Sequence, residues 1–122
     1  MTEKTLELTV DNTSLQVTIE RATVLVGMRR ARLKVEAEKE KDIDRKLLRT
    51  YTYADIASCT KGVLRVDGKE IAWPPDFETF LSLPDELGNQ LEEAVYAING
   101  HWLPEEKGPE AEKKALTTST PG

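Results

Sequence analysis

Polar and apolar side chains alternate from Thr5 to Val10 and again from Leu15 to Ile19. That period of two puts Leu6, Leu8 and Val10 on one strand face, and it predicts a β-hairpin turning at Asp11–Ser14, a cluster of turn-favouring residues. An isolated hairpin is marginal in water, so this one needs a surface to pack on. Near Thr23 the period changes. Val24, Met28, Ala31 and Val35 recur at i, i+4, i+7 and i+11, a helical stripe, with Arg29, Arg30, Arg32 and Lys34 read as lying opposite it. The mixed-charge run 36–42 either prolongs that helix through weak ion pairs or leaves it for solvent. Ile43, Leu47, Leu48, Tyr51 and Ala54 form a second helical stripe toward Cys59, in competition with the strand propensity of Thr50–Tyr53, and Gly62 is read as the helix stop.

Asp67-Gly68 between the short runs Val63–Val66 and Lys69–Trp73 predicts a second hairpin, closed by a two-residue type I′ turn in which both central residues need positive φ. Pro74-Pro75 ends it. Asp76 is placed to cap a short helix carrying Phe77, Phe80 and Leu81. From Pro84 onward Leu87, Leu91, Ala94, Val95 and Ile98 trace the clearest helical stripe of the chain, with Asp85 and Glu86 at the positive end of its dipole and Asn99-Gly100 as a left-handed stop. A stripe of that quality must face a core or a partner. Beyond Pro104 the one large apolar residue is Leu116, too little to offset ordering entropy. The pattern therefore predicts an α+β fold in one domain, residues 1–104: an N-terminal β-hairpin, then a mainly helical part with one short internal β-hairpin, followed by a disordered acidic and polar tail over 105–122.

Composition narrows the function classes. A formal charge of −5 over 122 residues argues against a dedicated nucleic-acid binder. No apolar run approaches the ~20 residues that span a bilayer, and the first residues, MTEKTLELTV, do not read as a signal peptide. A single cysteine, Cys59, fits a reducing cytoplasm and excludes an internal disulfide framework.

Reactive chemistry is sparse. His101 is the one imidazole, next to Trp102 at a helix end, and nothing in the sequence links it to Cys59. One His and one Cys do not assemble an ordinary zinc site, and a nucleophile needs an oriented base. No catalytic, cofactor-binding or metal-ligating residue is assigned, and an enzyme is not expected. His101 reads as a capping or surface imidazole and Cys59 as a small semi-buried hydrophobe. The basic stretch around Arg29–Lys34, with Arg21, offers charge to phosphates, yet no aromatic residue interleaves with it and acids follow at once. A membrane-surface role lacks the Trp or Phe that would anchor it.

Large apolar and aromatic residues concentrate between Trp73 and Trp102. The segments WPPDFETFLSLP (Trp73–Pro84) and AVYAINGHWLP (Ala94–Pro104), preceded by RTYTYADIASCT (Arg49–Thr60), resemble tail assembly chaperones of long-tailed bacteriophages. Members pair a Phe-x-x-Leu-Pro-like segment with an acidic helix ending in Asn-Pro-x-Trp or similar; Gly100 stands here where Pro is more usual, and both stop a helix. The resemblance covers Arg49 to Pro104. It implies a non-catalytic protein that coats the helical tape measure protein, keeps it soluble and recruits tail tube subunits, acting in the host cytoplasm and absent from the finished virion. It implies no cofactor and no membrane, and leaves homo-oligomerisation open. The alternatives are a structural virion component, such as a neck or minor tail protein, and a small nucleic-acid-binding protein using the basic helix. The client surface is expected on Leu87, Leu91 and Val95, flanked by Phe77, Phe80 and Trp102, residue types that also enrich interface centres.

Overall fold

Both expected hairpins form, and the structure fuses them into one sheet. The computed structural model describes residues 3–103: β1 (Glu3–Val10), β2 (Thr13–Glu20), α1 (Val24–Ala37), α2 (Ile43–Leu48), a π-helical turn (Arg49–Tyr53), α3 (Ala54–Cys59), β3 (Thr60–Val66), β4 (Lys69–Trp73), α4 (Phe77–Leu81), α5 (Asp85–Ile98) and a 3₁₀ turn (Gly100–Trp102). The tail expected over 105–122 lies outside the described residues.

The first hairpin turns at Asp11-Asn12, with Asp11 at φ 52°. The second turns at Asp67 and Gly68, at φ 54° and 78°, with Val66 opposite Lys69. Both central residues thus have the positive φ that the Asp-Gly pair requires. What joins the hairpins is β2 to β3, antiparallel, with Leu15 opposite Leu64 and Val17 opposite Gly62. The sheet runs β1-β2-β3-β4 in space, although α1, α2 and α3 intervene between its second and third strands. One face carries the row Leu8, Leu15, Leu64 and Ile71 into the core. The other carries polar residues and the ion pairs Lys61–Glu20 and Arg65–Glu70. The fold is α+β, an antiparallel sheet with helices against its apolar face.

Gly62 is not a helix stop. It lies inside β3, where a Cβ would sit 2.1 Å from the Gln16 carbonyl oxygen, so glycine is needed for the close approach of β2. The helix before it ends at Cys59 because Thr60 turns extended and begins pairing with Ile19. From Ile43 to Cys59 the chain stays helical, through the stretch whose strand propensity competed.

Asp76 caps α4 as expected, accepting from the Thr79 amide at 2.8 Å, and two caps that were not expected join it: Thr23 Oγ1 accepts from the Val26 amide at 3.2 Å and Asp42 from the Arg45 amide at 3.0 Å. The charged run leaves the helix at Ala37, and Glu40 beyond it accepts from Arg45 Nε at 3.0 Å and Arg49 Nη1 at 2.6 Å. Those two guanidiniums hold the Glu40 carboxyl below the usual carboxylate range.

The Asn99-Gly100 stop works differently from expectation. Asn99 has φ −115°, and among the described residues Gly68 is the sole glycine with positive φ. Asn99 is instead fully buried. Its Oδ1 accepts from the Ala22 amide at 2.7 Å and its Nδ2 donates to the Glu20 carbonyl at 3.0 Å. Asparagine is there for its two-ended amide, which ties the end of α5 to the β2–α1 junction and satisfies backbone groups that burial would otherwise strand.

Candidate functional site

The ridge expected to hold a client is core. Leu87, Leu91 and Val95 are fully buried against the sheet, and Phe77 and Phe80 are buried with their rings edge-on to Tyr53, both at 5.3 Å. Leu87, Leu91 and Val95 leave no surface for a partner, and Phe77 and Phe80 leave little. The reason is economy of apolar material: β2 and β3 need a cover, and α5 has the one stripe wide enough to supply it. Trp102 is half-buried, and it lies under the Arg30 guanidinium at 4.5 Å.

Outside that core the surface is not uniformly polar. Val24, Met28 and Val35 are 84%, 62% and 61% exposed. The stripe that periodicity picked out on α1 therefore faces outward. The residues facing inward are Val26, Arg30, Leu33 and Ala37, spaced at the same i, i+4, i+7 and i+11 but two positions later, which is about 200° around the helix. Three are apolar and the fourth is an arginine, so the inner stripe looked like part of a basic face.

A buried acid makes that arginine acceptable. Asp55, at the start of α3, is 1% exposed; it accepts from Arg30 Nε through one oxygen and from the Tyr96 hydroxyl through the other. Burial, then the hydrogen bond to Asp55, raises the Tyr96 phenol well above its ordinary range, so it stays a donor. With Arg30 over the Trp102 ring, this cluster locks α1, α3 and the end of α5 together. It is satisfied and closed, and its role is positional. His101 is exposed on the 3₁₀ turn, its ring 5.8 Å from that of Trp102.

Cys59 is also structural. Burial pushes its thiol up to about 12, with the Asp55 and Glu20 carboxylates acting in the same direction. Native protein at mildly alkaline pH is expected to resist iodoacetamide and to react fully only in denaturant. Rapid native alkylation would mean that the α3–β3 corner opens readily.

The outward face of α1 is bordered on each side. Between α1 and α3 lies an open groove of about 440 Å³ lined by Leu25, Met28, Leu33, Tyr53, Ala57, Ser58 and Pro74 together with the exposed arginines Arg29 and Arg32. Across the helix, Lys34 sits 4.6 Å over the Tyr51 ring, beside exposed Leu47. The π-helical turn contributes here, since Tyr51 points out while Tyr53, two residues later, is buried and donates to the Pro75 carbonyl at 2.6 Å. The result is an apolar ridge and groove with cationic edges, built on regular helices. A surface of this kind suits another polypeptide better than a small substrate.

No protein-family model, curated protein or solved structure matches this chain.

The residues missed by sequence reasoning are therefore Val24, Leu25, Met28 and Val35 as a surface rather than a core. One signal was present. Val26, Leu33 and Ala37 repeat at helical spacing, so α1 carries apolar residues on two sides, and a helix apolar on two sides has two neighbours to satisfy.

Proposed function

We propose that this chain is a non-catalytic client-binding protein, a tail assembly chaperone of a long-tailed phage, and that it holds the tape measure protein on the outward face of α1. The observation that carries the reading is the outward stripe Val24, Met28 and Val35, exposed on a helix whose opposite side already serves the core. Apolar side chains at helical spacing on a rigid helix pack well against a helical client, and such clients are what the resemblance over Arg49–Pro104 implies. The net charge of −5 keeps a protein with such a face from associating indiscriminately. In this reading the tail tube protein is the second partner, the site of action is the host cytoplasm, and the finished virion lacks the chain. Among the described residues no helix is long and apolar enough to cross a membrane.

Co-expression with the tape measure protein of the same phage tests this. The double variant Val24→Asp/Met28→Asp is expected to lose about tenfold or more of the co-purified client. Both positions are exposed, so its melting temperature should move by less than about 3 °C. Undiminished capture by a folded variant removes α1 as the client surface. Mass spectrometry of purified particles separates the structural alternative, because a neck or minor tail protein would be found there.

A further inference from the structure

Arginines elsewhere in this protein are used. Arg30, Arg45, Arg49 and Arg65 each pair with a carboxylate. Arg21, Arg29 and Arg32 form no ion pair among the described residues, although acids outnumber bases 22 to 17 over the whole chain. Arg29 makes a single long contact, 3.5 Å, to the Ser58 carbonyl. All three are exposed: Arg29 and Arg32 line the apolar groove from α1, and Arg21, just before the helix, shares with Arg29 an adjoining depression that also holds Leu25, Glu3 and Glu20. An acidic protein thus keeps two guanidiniums without an ion pair among the described residues in the apolar groove between α1 and α3, and a third in the depression next to it.

We propose that the groove between α1 and α3 selects an acidic amphipathic helix: apolar side chains enter against Leu25 and Met28, and carboxylates on the flank of the same segment pair with Arg29 and Arg32, then Arg21. This rests on the client-binding reading and names the chemistry of the client segment. Guanidinium forks match carboxylates bidentately, and at the edge of an apolar groove such pairs are partly desolvated, where charge complementarity sets partner choice. The 14 residues of α1 extend about 21 Å, so the matching segment is about four helical turns.

Charge also decides against the other occupants. A second copy seating its own α1 in this groove across a two-fold would gather Arg29 and Arg32 of both copies there, and the groove lining holds no carboxylate to pair them. Nucleic acid would use the charge but find no stacking platform, because the aromatic ring of this groove, Tyr53, is buried and packed edge-on to Phe77 and Phe80.

The test uses the full chain and two synthetic peptides of about four turns, with identical Leu positions and either Glu or Lys on both flanks, read by fluorescence anisotropy. The Glu peptide is expected to bind about tenfold or more tightly than its Lys twin, and Arg29→Glu/Arg32→Glu is expected to reverse that order. Equal affinities, no binding of either peptide, or an unchanged preference in the double variant overturns the proposal. So does tighter binding of a single-stranded oligonucleotide, or a dimer in sedimentation that Met28→Asp dissolves. Thermal melts confirm folding of each variant. Client capture read in parallel separates the two levels: if Val24→Asp/Met28→Asp loses the tape measure protein while the arginine variant keeps it, the charge rule alone falls. If both variants keep it, the client surface on α1 falls as well.

Discussion

Leu91→Asp is expected to leave no folded population at room temperature. Leu91 is fully buried in the face of α5 that covers the sheet. Truncating a buried leucine costs about 2–5 kcal/mol, and an unpaired carboxylate in the same place adds several more. A domain of this size has about 5–15 kcal/mol in total. Far-ultraviolet circular dichroism should show the loss directly, and urea should produce no cooperative transition. A cooperative transition close to that of the parent would mean that α5 does not cover the sheet. The contrast with Val24→Asp/Met28→Asp is the informative part. The same substitution type, on two stripes of similar spacing, should destroy the fold in one helix and spare it in the other.

Gly62→Ala should be the second large effect, and Gly88→Ala supplies its control. A Cβ at Gly62 would stand 2.1 Å from the Gln16 oxygen and 2.9 Å from the Val17 Cα, both main-chain atoms that cannot move independently of β2. The strain falls on the β2–β3 pairing that unites the two hairpins, at a cost of about 3 kcal/mol or more. At Gly88, within α5, an added Cβ meets nothing within 4 Å. There alanine should stabilise by about 0.5–1 kcal/mol, through helix propensity and a less free unfolded chain. Urea midpoints should move in opposite directions; a common direction for both would contradict the register of β2 against β3.

The two hairpins, the Asp67-Gly68 turn, the Asp76 cap and the extent of α5 were legible because each is specified by residues close in sequence. Turn chemistry acts over four residues and an amphipathic period over fifteen. The Asn99 amide was legible only as a helix stop, since its partners, Ala22 and Glu20, are 77 and 79 residues away. The stripe expected to dock a partner is core, and the sequence did not show it for the same reason. Leu87, Leu91 and Val95 had the right chemistry for docking, but an apolar stripe does not state whether it meets its own sheet or another molecule.

What the sequence determined by itself is the inventory: four strands, the helices, and apolar stripes on both α1 and α5. Tertiary structure alone decided which stripe is spent inside. The β2–β3 pairing creates one sheet that needs one broad cover, and α5 provides it. Asp55, buried at the head of α3, draws Arg30 inward and turns α1 so that Val26, Leu33 and Ala37 follow. Pairing one buried carboxylate outweighs the choice between two nearly equal apolar faces, because leaving that charge alone costs more than exposing Val24, Met28 and Val35.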